Sequence, residues 1–151
     1  MNASSSKVVP LVSSGTKGPM GALHLPRLWL KLSLGSRNML ADGYDVCGQG
    51  FDQMTLTGLG LDKEKTLAFI REKHPTYMQF EEYVAAQHGG TVPADLLAKH
   101  NAAIAGYNHG EDDGKSMRSE SGISNHNVKD AVTLNTVNDL DELHKQMHAR
   151  G

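Results

Sequence analysis

Residues 24–44 read HLPRLWLKLSLGSRNMLADGY, and the order of their apolar side chains decides the fold class. Leu25, Leu28, Trp29, Leu32, Ser36, Met39 and Leu40 recur at steps of three and four, the spacing of one face of an α-helix. Leu30 and Leu34 add apolar bulk off that stripe, so this helix is expected to be covered on more than one side and to form the centre of the fold. Pro26 suits its first turn, where the missing N–H has no partner to lose. Gly43 is the expected stop.

The composition then changes. Residues 41–60, ADGYDVCGQGFDQMTLTGLG, hold five glycines and three aspartates and read as turns around a short helix over Phe51 to Thr57. Asp62 is placed to cap a helix over Lys63 to Lys73, with Leu67, Phe69 and Ile70 inward. His74-Pro75 ends it. Thr76 and Gln79 form a capping box for a helix to Gln87 with Phe80, Tyr83 and Val84 buried, and Gly89-Gly90 stops that helix. A further helix near Pro93 to Tyr107 lines up Leu96, Leu97, His100, Ile104 and Tyr107. Glu111 to Arg118 reads as a short helix and Ser119 to Asn127 as a polar loop. Val128 to Val137 reads as irregular. Asn138 then caps a last helix from Asp139 to about His148, with Leu140, Leu143 and Met147 inward.

The expectation is an all-α protein: an irregular bundle of about five or six helices around a buried first helix, with little or no sheet. Residues 1–21 form an irregular arm with a mobile tip before Ser6, and residues 22–151 a single helical domain. A chain of 151 residues lies within the usual size of one domain and needs no covalent staples to bury a core.

Composition narrows the function classes. With 15 basic and 17 acidic residues the formal net charge is −2, which gives no electrostatic reason to expect nucleic acid or an anionic membrane as partner. Cys47 is the only cysteine, so an intramolecular disulfide is excluded and a cysteine-based zinc site lacks ligands. The first residues lack the apolar run of a secretory signal, and no apolar stretch approaches a membrane span, so a cytoplasmic location is expected. No βαβ fingerprint is present, and no nicotinamide or flavin cofactor is expected.

The strings His24–Lys31 (HLPRLWLK), Ala41–Asp45 (ADGYD) and Gly106–His109 (GYNH), with the helix after Asp62, resemble a family of small, mainly bacterial proteins known as a domain of unknown function. The resemblance covers about Val8 to Met147. It implies a single compact helical domain and carries no reaction with it.

Candidate chemistry gathers in four places. Arg27 and Lys31, four residues apart near a helix N-terminus, would hold a carboxylate or phosphate, with His24 as general acid or base. The competing reading is a solvated helix edge with His24 as a cap. Asp42, Tyr44 and Asp52 lie among glycines that let backbone approach a ligand, although aspartates beside glycines are also ordinary turn chemistry. Asn108 and His109 follow a helix end, where a histidine also serves as a cap. If that turn folds against His24, the two histidines with Asp42 or Asp52 would make an open site for one divalent metal. Asp141, His144 and His148 share a helical face, which solvent exposure alone would explain.

The functional expectation is an enzyme or binder for a small anionic molecule, of lyase, isomerase or hydrolase type. His24, Asp52 and Tyr44 would be catalytic, with Arg27, Lys31, Asp42, Asn108 and His109 binding. The alternative is a non-catalytic, homodimeric interaction module that uses Leu30 and Leu34 on the exposed side of the first helix.

Overall fold

In a computed structural model that describes residues 6–149, the leucine stripe forms α1, Leu25–Ser36. It ends seven residues before Gly43. Asn38 takes a left-handed conformation (φ 56°), and the Met39 and Asn38 N–H groups return to the Leu34 and Gly35 carbonyls. That pairing is a Schellman stop, with Asn in the place usually held by Gly. Six helices follow among the described residues: α2 Phe51–Gly58, α3 Lys63–Lys73, α4 Tyr77–Ala86, α5 Ala94–Ala105, α6 Glu111–Glu120 and α7 Ala131–Ala149. The described residues contain no strand, only the isolated bridges Val8–Leu40 and Asn108–Asp130. The fold is all-α.

Local chemistry sets the helix starts. Asp62 accepts the Lys65 N–H at 2.8 Å, and Thr76 and Gln79 close a reciprocal box at α4. Helix α7 begins eight residues before Asp139, because Asp130 accepts the Thr133 N–H and the β-branched run beyond it is carried into the helix by packing. With that start the inward face is Ala131, Leu134 and Asp139, while Leu140 and Met147 are 55% and 58% exposed rather than buried.

One cluster forms the main core. Leu25, Leu28 and Leu32 of α1 pack with Leu56 and Leu59, Ile70 of α3, and Phe80 and Val84 of α4. Each fully buried leucine contributes roughly 1.5–3 kcal/mol of transfer free energy. Trp29 is half-buried at the edge of this cluster and donates to the Pro75 carbonyl. Leu30 and Leu34 are also half-buried, so α1 presents no open apolar face. A smaller cluster of Phe51, Ile104 and Ala131 joins α2, α5 and α7.

The segment before α1 runs along the bundle without forming a helix. Its Met20 N–H is held by the buried Glu81 carboxylate of α4, and Asn101 of α5 bridges Gly21 and Leu23. The expected mobile tip before Ser6 lies outside the described residues. No described helix is long and apolar enough to cross a membrane.

Candidate functional site

Helix α1 has a second buried face. His24, Arg27 and Lys31 stand three and four residues apart, each one residue before a leucine of the stripe and so roughly 100° around the helix from it, and all three are buried. They form one wall of a cavity of about 310 Å³. The glycine-rich turns Gly43–Asp45 and Gly48–Asp52, Tyr107 and His109 before α6, and the first three turns of α7 complete it. Its size is at the lower end of the range for small-molecule sites.

Asp52, in the first turn of α2, organises one half. Its Oδ1 lies 2.7 Å from His24 Nε2, and its Oδ2 receives Lys31 Nζ at 2.5 Å and the Gly48 N–H at 2.8 Å. Burial by itself would raise this carboxyl. The hydrogen bond from His24 and the Lys31 charge outweigh it and hold Asp52 down at about 2. A carboxylate only accepts, so His24 carries its proton on Nε2. His24 Nδ1 then accepts from the buried Ser14 hydroxyl, 2.9 Å away. Burial lowers His24 against the pull of Asp52, and the ring is neutral with both nitrogens engaged. Its backbone is left-handed (φ 69°), a conformation that costs a non-glycine residue on the order of 1 kcal/mol or more and is held by this chain of contacts.

Asp139 of α7 organises the other half. Arg27 grips it in two-pronged fashion at 2.7 and 3.1 Å, and Tyr44 donates to it at 2.8 Å. The same guanidinium also donates to the Pro10 and Val12 carbonyls, so its donors are largely spent inside the protein. Burial, and then the Asp139 carboxylate, push the Tyr44 phenol up. Lys31 differs from Arg27: among the described residues its ammonium has Asp52 as its one hydrogen-bond partner, and two of its three donors are left for a ligand. His109 gives Nε2–H to Asn135 Oδ1 at 3.0 Å, which leaves Nδ1 as an acceptor with no hydrogen-bond partner among the described residues, on a ring that lines both this cavity and the hollow beside Arg118. The N-termini of α1 and α2 reach the same hollow, and neither has a side-chain cap.

Six of the eight expected site residues therefore meet here: His24, Arg27, Lys31, Tyr44, Asp52 and His109. Asp42 and Asn108 do not. Asp42 lies before the Gly43 turn (φ 89°), follows the Val8–Leu40 bridge, and faces a separate hollow beside Glu142 and Lys145. Asn108 is the middle residue of an extended pairing, with the His109 N–H on the Lys129 carbonyl and the Ala131 N–H on the Tyr107 carbonyl. Alternation along extended backbone sends Tyr107 to the cavity and Asn108 to a hollow on the other side, and His109 lines both. Cys47 is half-buried beside this region, and burial raises its thiol, away from the reactive thiolate. Although His24 and His109 share the cavity, no three His, Cys, Asp or Glu side chains among the described residues are arranged to hold a metal ion.

Sequence reasoning missed Ser14, Asn135, Asn138 and Asp139. The last three line the cavity on consecutive turns of α7, at positions 135, 138 and 139. Read as helix, Ala131, Leu134, Asn135, Asn138 and Asp139 form a stripe at three- and four-residue steps whose polar members mark a site wall. No family model, no curated protein and no solved structure matches the chain.

Proposed function

We propose that this cavity binds a small molecule carrying one anionic group and moves a proton on it, in a lyase, isomerase or hydrolase type of reaction. What carries the reading is the convergence of two buried ion pairs, Lys31–Asp52 and Arg27–Asp139, at one hollow. Desolvating four charges costs several kcal/mol per ion, and apolar residues of similar volume would serve stability as well or better. Charges kept under that cost cluster at functional sites.

The roles follow from which donors and acceptors are free. Lys31 and the uncapped ends of α1 and α2 would hold the anion. His109 Nδ1 would take the proton, with Asn135 fixing the tautomer, while Asn138 would stabilise developing charge. His24 and Tyr44, expected to be catalytic, are spent on Asp52 and Asp139. They act as positioning residues, His24 by orienting the carboxylate that holds Lys31. Asp45 at the rim and Asp139 inside would repel a second negative charge on the ligand. The motifs of residues 24–31, 41–45 and 106–109 also support membership of the small helical family they resemble, a kinship that brings no reaction with it.

The test is an ¹⁵N NMR titration of the full chain with acetate, lactate, succinate and inorganic phosphate. Saturable shifts at Gly48, His109 and Asn135 are expected, stronger with the monocarboxylates and lost in Lys31→Met. Shifts confined to exposed lysines and unchanged by that substitution would overturn the proposal.

One observation favours the non-catalytic alternative in a new place. Leu140 and Met147, seven residues apart on α7, are exposed together. If that face joins two copies, sedimentation would show a dimer that Leu140→Glu abolishes.

A further inference from the structure

Eight histidines occur in the chain, and four of them spend a ring nitrogen on other groups. His24 meets Ser14 and Asp52, His88 the Leu59 carbonyl, His100 the Leu23 carbonyl, and His109 Asn135. His144 and His148 meet each other. They lie one turn apart in the last two turns of α7, both exposed, with their Nε2 atoms 2.8 Å apart and ring centroids 4.2 Å apart. As a hydrogen bond this contact requires one ring to donate Nε2–H and the other to accept. Two exposed rings gain little from such a bond in water, where each could bond to solvent instead.

The same placement is a ready bite for a metal. A divalent ion about 2.0–2.1 Å from each nitrogen, with the nitrogens at 2.8 Å, would subtend an angle of roughly 85°. Such an angle is the cis angle of a square-planar or tetragonal site, the preference of Cu²⁺ and Ni²⁺. Tetrahedral Zn²⁺ would need the nitrogens about 3.3 Å apart. The order of affinities for nitrogen donors also puts Cu²⁺ first. We propose that His144 and His148 form a two-histidine chelate for a divalent transition metal, Cu²⁺ foremost, on the exposed end of α7. The ring that donated its Nε2–H carries that proton on Nδ1 when the metal binds, so both Nε2 lone pairs face the ion and no proton is lost. No third side chain converges there among the described residues, so water or an external donor fills the remaining positions. An open metal of this kind, held by two side chains that do not line the cavity, would be a second site independent of the proposed function.

Calorimetric titration of the full chain with CuSO₄ and NiCl₂, in a buffer containing glycine as competitor, tests this. Variants His144→Ala, His148→Ala and the double variant are compared with His126→Ala, a loop histidine. One Cu²⁺ per chain is expected, bound more tightly than Ni²⁺. Because the second imidazole acts at high effective concentration, each single variant should lose about tenfold or more in affinity. The double variant should lose little beyond that. Electron paramagnetic resonance should show two nitrogen ligands in the parent and not in the variants. Equal, independent losses of about twofold per histidine, or a loss in His126→Ala as large as in His144→Ala, would overturn the chelate. Both substituted positions are exposed, and unchanged helical circular dichroism would confirm that the variants fold.

Discussion

Helix α1 is buried twice, against two kinds of surroundings. Toward α3 and α4 it offers Leu25, Leu28 and Leu32 to an apolar cluster that asks only for volume and shape. Toward α7 and the glycine turns it offers His24, Arg27 and Lys31, whose burial is tolerated because Asp52, Asp139, Ser14 and two backbone carbonyls partner each of them, with two Lys31 donors left over. The first face drives folding through the hydrophobic effect. The second face must be complete to be neutral, since a buried pair roughly breaks even while a buried single charge does not. Apolar packing and buried charge lie on neighbouring faces of one helix.

Substitutions separate the two faces. The largest loss should come from Asp139→Ala, which leaves Arg27 buried without its carboxylate and removes the Tyr44 partner: about 3–5 kcal/mol by urea unfolding. A loss under 1 kcal/mol would mean that the polar face opens to water. Leu28→Ala, on the apolar face, should cost about 2–4 kcal/mol and leave the anion titration unchanged. Loss of ligand response in that variant would break the separation.

Acid probes the polar face alone. A carboxyl depressed from 3.8 to about 2 favours folding above its unfolded value, and that contribution, roughly 2 kcal/mol, is lost as pH falls through this window. His24 and His100 are lowered from 6.5 by burial, so below that pH the unfolded chain takes up protons that the folded chain resists. Their contribution is present above 6.5 and declines as pH drops. The urea midpoint should therefore begin to fall near pH 6.5 and fall again below 4. A flat midpoint between pH 7 and 5 would contradict the neutral, buried His24. The smallest effect is Tyr44→Phe, expected near 1 kcal/mol because Arg27 still holds Asp139 after the phenol is removed.

The apolar face was the legible one. Three- and four-residue leucine spacing, the Asp62 cap and the Thr76/Gln79 box act locally, and each element began where those signals stood, although α1 stops at Ser36, short of Met39 and Leu40. The polar face depends on partners 21, 28 and 112 residues apart in sequence, and no local pattern encodes such pairings. His24, Arg27 and Lys31 were identifiable by type and spacing, but that Arg27 is consumed by Asp139 was not. The α7 wall was hidden because Val132, Thr133, Thr136 and Val137 lower helix propensity, and tertiary packing overrides them. Asn108 was misplaced because its neighbours were read as a helix end, whereas a bridge to Asp130 fixes the alternation.

If the charges facing α7 serve a ligand and not the fold, they should be replaceable together. Urea unfolding of Arg27→Met/Asp139→Leu, beside Asp139→Ala, measures this directly. The double variant is predicted to recover part of the loss seen in Asp139→Ala, since apolar side chains of similar volume suit a buried site as well as an ion pair, and to stay below the parent because the Pro10 and Val12 carbonyls and the Tyr44 hydroxyl lose their partners. A double variant as unstable as the single one would contradict the account: the pair would then be a structural pin between α1 and α7.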